Sequence, residues 1–365
     1  MVTDSTATLP PALARAAGVR VVSLDVVVGG RRTLDGDLDG AGLLAALERG
    51  ERPVTSQPPP AAFAAAYERA AAEGASAVVS VHLSGALSGT VTAARTAAAG
   101  AAVPVVVVDS GTVAMGLGFA ALAAARAGAA EVVPPAPWWR RWRDAIAVRG
   151  ADETSAVPDR TPDVAEVAAT ARAVAASSSV WFLVDSLDHL RRGGRLSGTS
   201  ALLGTILQLR PLLTVADGRI VVVGKARTRR VARARLVQLA VESVLARPQA
   251  RLAVHHLGNP DAADELVGQV VAATGDRVVE TVVTEAGAVL AAHVGPGVLA
   301  VTVADAETCV AVDERAAAGP GPADVDRGQS PDRTHRDPSG RPDQRVPGEP
   351  SPAQPDDGLA PSSAG

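Results

Sequence analysis

The sequence predicts an α/β protein of two α/β lobes, and three observations predict this fold class. Short β-branched runs alternate along the chain with stretches rich in Ala, Leu and Arg, which is the pattern of strands joined by crossover helices. Of the 365 residues, 47% are hydrophobic, enough for a sizeable core. Aromatic residues make up only 2%, so the apolar side chains are mainly Ala, Val and Leu, which favours helices packed on sheets. The length suits two domains.

The β-branched runs are typical of short, buried strands. They lie at 19–28, 77–81, 103–108, 180–184, 219–223, 251–255, 277–283 and 298–303. Because helical stretches separate most of them, we expect mostly parallel pairing.

The stretches between these runs have the composition and spacing of helices. They lie at 40–49, 61–73, 89–99, 116–128, 165–176, 200–207, 228–246 and 260–274.

Two segments differ in composition from the rest and set the predicted boundaries. Residues 132–164 contain several prolines together with Trp138, Trp139 and Trp142, which predicts either a surface insertion or an amphipathic docking segment. This insertion separates an N-terminal lobe, 1–131, from a C-terminal lobe, 165–313. Residues 314–365 have few large apolar side chains, so we expect a disordered tail.

Composition also argues against several classes of function. With 35 basic and 39 acidic residues the net charge is -4, which argues against nucleic acid as the main partner. A single cysteine, Cys309, excludes a disulfide framework. His255 and His256 show no metal-ligand spacing with other residues, so we predict no metal. The start of the chain lacks the pattern of a targeting segment, and the longest apolar run is about a dozen residues where a membrane span needs roughly 20. We therefore expect a cytoplasmic protein.

Polar clusters next to the predicted strands are the candidate functional residues, because ligands of parallel α/β folds gather at the carboxyl ends of strands. The N-terminal cluster, 4–6, is either a turn that caps a helix or part of a site. In the proline-rich loop 53–60, Thr55 and Ser56 either cap the following helix or offer fixed hydroxyl donors to an oxyanion.

The loop at 84–90 follows a predicted strand and enters a predicted helix. A helix N-terminus has free backbone N–H groups that attract carboxylate or phosphate. Ser88 and Thr90 add hydroxyl donors. The loop lacks the Gly-x-Ser-x-Gly spacing of a nucleophile elbow.

Two glycine-containing motifs have less specific interpretations. Gly116-Leu117-Gly118 stands too far from its strand to be a dinucleotide fingerprint, so we expect close helix packing there. The arginines of 191–197 flank a glycine pair and form either a solvated turn with local Asp pairing or an anion clamp or partner surface.

His293 precedes the rigid turn Gly295-Pro296-Gly297, which fixes its direction. A lone histidine is usually structural, but this one remains a candidate ligand.

Taken together, the motifs resemble the DegV family of two-domain fatty-acid-binding proteins, which includes the FakB subunits of bacterial fatty acid kinase. No single motif is decisive, but the ordered series is strong, and it covers about residues 1 to 312. The series is Asp4-Ser5-Thr6-Ala7-Thr8-Leu9-Pro10, Thr55-Ser56-Gln57-Pro58, Leu87-Ser88-Gly89-Thr90, Asp109-Ser110, Met115-Gly116-Leu117-Gly118, Leu190-Arg191-Arg192-Gly193-Gly194-Arg195-Leu196-Ser197, Arg210-Pro211-Leu212-Leu213 and His293-Val294-Gly295-Pro296-Gly297.

The resemblance implies a fatty acid bound between the two lobes, with no other cofactor. It implies that Thr55, Ser88 and His293 contact the carboxylate. The further pocket or partner-contact residues that it implies are Ser56, Ser84, Gly89, Thr90 and Arg195. It implies no catalytic residue in this chain, because a separate ATP-dependent fatty acid kinase makes the acyl phosphate for phospholipid synthesis. Acyl exchange would involve transient contact with a membrane surface.

The chain departs from the family pattern at two positions. Gly85 replaces the second serine of the Ser-Ser-x-Leu-Ser-Gly-Thr pattern, and Pro59 stands where serine is common. Both are expected near the head group, so one donor is expected to be missing.

The physical chemistry of a fatty acid agrees with this assignment. Burial of an acyl chain gains roughly 0.8 kcal/mol per methylene, whereas its carboxylate needs hydrogen-bond partners. The sequence has no Walker loop or kinase signature, so another protein would supply the nucleotide.

Two other functions remain open from the sequence. Ser88, His293 and Asp109 would form the triad of a hydrolase acting on acyl esters. A scaffold that works through the tail and the Trp-rich segment would make ligand binding dispensable.

Overall fold

The computed structural model describes residues 1–38, 40–129, 162–197 and 209–306. These residues have the α/β fold that the sequence predicts, and Met1–Ala311 is one compact unit. The predicted helix at 200–207 and the predicted tail at 314–365 lie outside the described residues, as does the predicted insertion apart from its last three residues.

Thirteen β-strands occur in the described residues. They are Val2–Asp4 (β1), Arg20–Val22 (β2), Asp25–Val28 (β3), Arg31–Leu34 (β4), Val54–Ser56 (β5), Val78–His82 (β6), Val105–Asp109 (β7), Ser179–Leu183 (β8), Arg210–Ala216 (β9), Arg219–Ala226 (β10), Ala250–His256 (β11), Val278–Glu285 (β12) and Leu299–Asp305 (β13).

Ten α-helices occur in the same residues. They are Pro11–Ala16 (α1), Gly40–Glu48 (α2), Pro60–Ala72 (α3), Thr90–Ala98 (α4), Met115–Gly128 (α5), Val164–Ser177 (α6), Asp188–Arg192 (α7), Arg229–Leu245 (α8), Pro260–Thr274 (α9) and Ala288–Val294 (α10).

The first sheet is parallel throughout and has the strand order β2-β1-β6-β7. Its central strands β1 and β6 are buried along their whole length. The carboxyl ends of β1, β6 and β7 therefore meet at one edge of the sheet, and the polar loops 5–8, 83–89 and 110–114 leave from that edge.

The second sheet corrects the prediction of mostly parallel pairing. Its order is β10-β9-β8-β13-β11-β12, and among these strands only β11 and β12 pair in parallel. Two features cause the difference. Strand β13 inserts between β8 and β11 antiparallel to both, and β9 and β10 form a hairpin. The hairpin turns at Asp217 and Gly218, which both have positive φ, as tight hairpin turns require.

A small antiparallel sheet, β4-β3-β5, was not expected from the sequence. The run at 19–28, predicted as one strand, divides at Ser23 and Leu24 into β2 of the first sheet and β3 of the small sheet. The small sheet positions Thr55 because β5, at its edge, carries that residue.

The layers follow from which helix faces are apolar. Helices α5 and α6 pack on each other and contact strands of both large sheets, α3 and α4 cover the outer face of the first sheet, and α8 and α9 that of the second. Close packing of α5 depends on its small residues. A Cβ at Gly118 would lie 2.9 Å from the Ala7 carbonyl oxygen, so the Gly116-Leu117-Gly118 motif serves packing, as predicted.

Candidate functional site

A largely apolar cavity, here called the main cavity, lies where the parallel strand ends of the first sheet, the small sheet, the second sheet and α10 come together. It has about 980 Å³ of empty space, a figure that includes the solvent at its open mouth. Its wall is built mostly from aliphatic side chains and one aromatic ring. They include Leu24, Leu83, Leu87, Phe182, Ile220 and Leu290.

Two side chains that are 238 residues apart meet in the wall of this cavity. The Nε2 atom of His293 lies 2.8 Å from the Thr55 hydroxyl oxygen. Thr55 comes from β5, and His293 is near the C-terminal end of α10. Gly295, whose φ of +77° suits glycine, caps the C-terminal end of that helix, so the turn after His293 fixes where the imidazole lies.

The electrostatic environment keeps His293 neutral at neutral pH. Burial, together with the nearby side chains of Arg195 and His189, lowers the pKa of His293 from 6.5 to about 4. A neutral imidazole has one donor and one acceptor nitrogen. When Nε2–H donates to Thr55, the Thr55 hydroxyl proton remains free to donate to a ligand.

Arg195 also lines the main cavity and joins two loops. Its Nε donates to the Leu87 carbonyl at 3.1 Å, and its guanidinium also donates to the Gly193 carbonyl. The positive charge is therefore fixed near His293, between the loop after β6 and the loop after α7.

The loop before α4 brings further polar groups to the cavity. Ser88 and Gly89 line it, and the Ser88 hydroxyl lies 2.9 Å from the Thr90 hydroxyl and accepts from the Thr90 amide at 3.3 Å. Thr90 itself is fully buried behind them. The Gln57 amide packs directly on Gly89, so no larger side chain fits at that position without displacing it.

Ser56 and Ser84 have different surroundings. Ser56 lines the main cavity, and its hydroxyl reaches the Asp25 carboxylate at 3.4 Å. Ser84 is outside the cavity wall. Its hydroxyl donates to the Gly218 carbonyl at 2.7 Å and so ties the loop after β6 to the β9–β10 turn.

The two departures from the family pattern also lie outside the cavity wall. The Gly85 amide donates to the Asp109 carboxylate, and a Cβ at Gly85 would lie 2.6 Å from one of its oxygens. Pro59 is exposed at the start of α3. Neither position lines the cavity, so neither departure removes a donor from it.

The hydrolase triad weighed from the sequence is not assembled. The Ser88 hydroxyl pairs with Thr90, His293 pairs with Thr55, and the exposed Asp109 carboxylate accepts from the Gly85 and Gly111 amides. Within the described residues, none of the three hydrogen-bonds another.

A second cavity, here called the polar cavity, adjoins the main one and shares Thr55, Arg195 and His293 with it. Cationic or ionisable side chains contribute much of its remaining wall. They are Arg52, His189 and Arg192, together with Glu51. The Thr55–His293 pair therefore lies between an apolar interior and a basic outer surface.

Two residues of the site, His255 and Gly193, were not predicted from the sequence, whereas Thr6 belongs to the 4–6 cluster that the sequence analysis considered. Thr6 and His255 line the main cavity. A Cβ at Gly193 would lie 2.5 Å from His293 Nδ1, so this glycine provides the space behind the imidazole. The position of His255 at a strand end was the available signal, but sequence analysis considered only metal binding there.

Two features are absent from the part of the chain that the structure describes. No group of three or more His, Cys, Asp or Glu side chains could hold a metal ion there. None of its helices has both the length and the apolar character needed to cross a membrane.

Known proteins match this chain over most of its length. A model described as "Uncharacterised protein, DegV family" matches residues 1–134 and 154–306. A DegV domain-containing protein of Streptomyces coelicolor is 41% identical over 307 residues, which cover 83% of this chain and 97% of the relative.

Solved structures with this fold include two described as fatty-acid-binding proteins. A DegV family protein from Thermus thermophilus, described by its fatty acid binding, has a TM-score of 0.69 and 33% identity, and the match covers 83% of this chain and 98% of the other. DegV from Bacillus subtilis, described as a fatty acid binding protein, has a TM-score of 0.69 and 27% identity with the same coverage.

Proposed function

The chain belongs to the DegV family, and we propose that it binds a long-chain fatty acid and presents the carboxylate to a separate ATP-dependent fatty acid kinase. The observation that carries the proposal is an apolar cavity with the Thr55–His293 pair in its wall, next to a basic outer surface. The Thermus thermophilus and Bacillus subtilis relatives, described as fatty-acid-binding proteins, support it.

The energetics favour a ligand with a long apolar chain and one anionic end. Each buried methylene contributes about 0.8 kcal/mol, and aliphatic side chains form most of the cavity wall. The carboxylate would accept from the hydroxyls of Thr55 and Ser88, with His293 orienting the Thr55 hydroxyl. Hydrogen bonds to a charged group contribute about 1.5–3 kcal/mol each, which offsets the removal of the carboxylate from water.

The chemistry of presentation needs no catalytic group from this chain. A carboxylate oxygen attacks the terminal phosphorus of ATP, the bond from that phosphorus to ADP breaks, and the products are acyl phosphate and ADP. Hydrogen bonds donated by Thr55 and Ser88 would favour the ionised carboxylate, which is the nucleophile. The polar cavity, with Arg52, Arg192 and Arg195, offers cations where the phosphates would approach.

The same proposal places the protein in the cytoplasm, where ATP is available, with transient contact at a membrane surface for acyl exchange. Domain boundaries at 131/132 and 164/165 remain part of the proposal.

Native mass spectrometry of the purified protein tests ligand binding directly. Before solvent extraction we expect a bound mass matching a fatty acid of about 14 to 18 carbons, the length an apolar cavity of this kind favours. Extraction should remove it, and added palmitate should restore it. A protein that neither carries nor takes up a fatty acid would contradict the proposal.

Variants test the head-group contacts. Thr55→Val, Ser88→Ala and His293→Ala should each weaken palmitate binding by about 10- to 100-fold, the loss expected for one hydrogen bond to a carboxylate. Thr96→Val, the same change on the exposed face of α4, should bind as the wild type does. Wild-type affinity in all three site variants would refute the assignment.

Arg195→Ala tests presentation separately from binding. With a bacterial fatty acid kinase and ATP, acyl phosphate formation, trapped with hydroxylamine, should fall at least tenfold at saturating palmitate. Loss of palmitate binding instead would place Arg195 among the head-group contacts and refute its role in phosphoryl transfer.

A further inference from the structure

A further pocket, here called the arginine pocket, lies at the second sheet and is separate from the proposed head-group site. It is formed where β8 ends and where β9, α8 and β13 begin. Its charged lining residues are Arg210, Arg229, Arg233 and Asp185. Among the described residues, it shares none with the polar cavity and only Val298 with the main cavity. The proposed fatty-acid function therefore gives these arginines no role.

Asp185 holds two of the three guanidinium groups in place. Its carboxylate accepts from Arg210 Nη1 at 3.0 Å and also accepts from Arg229. A Cβ at Gly297 would lie 2.5 Å from this carboxylate, so the acid rests directly against the glycine. The two guanidinium groups are therefore close together and already oriented. Planar, paired donors of this kind suit the oxygens of a carboxylate or a phosphate.

Arg233 is the third cation of the pocket, and it has no partner. It follows Arg229 by four residues on α8, so the two side chains lie on the same face of the helix. Within the part of the chain that the structure describes, Arg233 makes no ion pair or hydrogen bond, although it is only partly exposed. Asn259 also lines the pocket, and its Oδ1 accepts from the Ala262 amide at 3.3 Å, which leaves its NH₂ group as a donor.

The positive charge of the pocket is in excess and lies over an apolar floor. Three positive guanidinium groups and one negative carboxylate give a formal charge of +2. Buried side chains, among them Val184 and Leu299, form the floor, and an apolar wall strengthens the field of nearby cations. The stretch 219–235, which includes the start of α8, adds to that field because it contains seven basic residues and no acidic one.

We propose that the arginine pocket binds the dianion of a phosphate monoester, carried either by a small soluble molecule or by a lipid headgroup. Charge selects this class, because a phosphate monoester carries about −1.5 to −2 near pH 7 whereas a carboxylate carries a single charge. The phosphate oxygens accept from Arg229 and Arg233 together. The pocket has about 450 Å³ of empty space including the solvent at its mouth, which is ample for a phosphate group. The proposal does not depend on fatty-acid binding.

Isothermal titration of the full chain with inorganic phosphate tests the pocket, at low salt and about pH 8, where phosphate is mostly a dianion. Arg233→Ala should weaken binding about tenfold, the loss expected for one hydrogen bond to a charged group. Arg230→Ala is the matched control, because Arg230 is an exposed arginine of the same helix outside the pocket wall, and it should bind as the wild type does. Equal affinity in the two variants would overturn the proposal, and would be the result if phosphate bound only in the polar cavity. A wild type that binds no phosphate would overturn it as well.

Asp185→Asn tests the charge argument in the opposite direction. The amide has nearly the same shape as the carboxylate but no longer competes with phosphate for Arg210 and Arg229. Phosphate should therefore bind about two- to fivefold more tightly, the range expected for a partly exposed ion pair, and a misfolded variant would not show such a gain. Acetate should bind the wild type about tenfold more weakly than phosphate does. Unchanged or weaker phosphate binding in Asp185→Asn, or equal affinity for acetate, would overturn the assignment to a dianion.

Sedimentation with phosphatidylcholine vesicles that contain phosphatidic acid distinguishes the two sources of the phosphate group. For a lipid headgroup, the wild type and Arg230→Ala should sediment with these vesicles and Arg233→Ala should remain in solution. For a small soluble ligand, all three proteins should remain in solution while phosphate still binds in the titration. Sedimentation that Arg230→Ala weakens as much as Arg233→Ala does would show general charge attraction and would overturn the headgroup assignment.

Discussion

Gly193→Ala is expected to perturb the proposed head-group site through a single methyl group. Gly193 ends α7 with φ −70° and ψ −12°, a helical conformation that alanine adopts without strain. The new Cβ would lie 2.5 Å from His293 Nδ1 and 3.1 Å from its Cε1. The imidazole must therefore move by about 1 Å to restore ordinary van der Waals contact.

The magnitude follows from the hydrogen bond that this movement breaks. His293 Nε2 and the Thr55 hydroxyl are 2.8 Å apart, and a hydrogen bond of this kind weakens beyond about 3.2 Å. Once the Thr55 hydroxyl is no longer oriented, the proposed charge-assisted contact with the carboxylate is lost, worth about 1.5–3 kcal/mol. We expect palmitate affinity to fall about 10- to 100-fold.

Isothermal titration with extracted protein measures this loss, and urea denaturation checks the fold. Gly268→Ala is the matched control, because Gly268 lies within α9 and a Cβ there meets nothing within 4 Å. It should raise the free energy of unfolding by about 1 kcal/mol and leave affinity unchanged. If Gly193→Ala binds palmitate with an affinity within twofold of the wild type, the claim that palmitate binding depends on the position of His293 is refuted.

Two further predictions concern buried ionisable groups. The folded-state pKa values of His255 and His293 lie near 4, below the ordinary 6.5, so the unfolded chain binds protons first as pH falls. The free energy of unfolding, measured in urea, should therefore decrease from pH 6.5 to 4 by at most about 3 kcal/mol per histidine. His255→Gln should flatten this pH profile, and an unchanged slope would contradict the assignment. Asp35 is buried, which raises its pKa, and its carboxylate accepts from the Val289 amide at 2.8 Å at the start of α10. Because the folded protein loses stability as pH rises and this buried carboxyl ionises, Asp35→Asn, which keeps an acceptor without the buried charge, should unfold at the same or a higher urea concentration at neutral pH. Asp35→Leu should lose about 1–3 kcal/mol of unfolding free energy, and equal losses in both variants would refute the helix-capping role.

Local sequence predicts where the helices and strands of this fold lie better than it predicts which strands pair with each other. The helices at α3, α5 and α9 lie within a residue or two of the predicted ranges, because composition and flanking proline or glycine determine where such helices begin and end. Antiparallel pairing of β13 between β8 and β11 depends on contacts distant in sequence, which periodicity does not contain. The polar strand β4 has no apolar alternation, so it gave no signal.

In the candidate site, too, local sequence predicts single residues better than it predicts which residues lie together. Ser88 and Thr55 are suspected from the loops that carry them, but the placement of Thr55 near His293 was available only from the resemblance, because 238 residues separate the two. The role of Gly193 requires the distance to an imidazole 100 residues later.

Carbon-13 NMR of palmitate labelled at its carboxyl carbon tests the central claim most directly. In the wild-type complex we expect one narrow resonance, shifted from that of free palmitate, because fixed hydroxyl donors surround the carboxylate. The resonance should move in Thr55→Val and in His293→Ala and stay in place in Thr96→Val. An unchanged resonance in both site variants, with palmitate still bound, would show that the acid group lies elsewhere and would contradict the account.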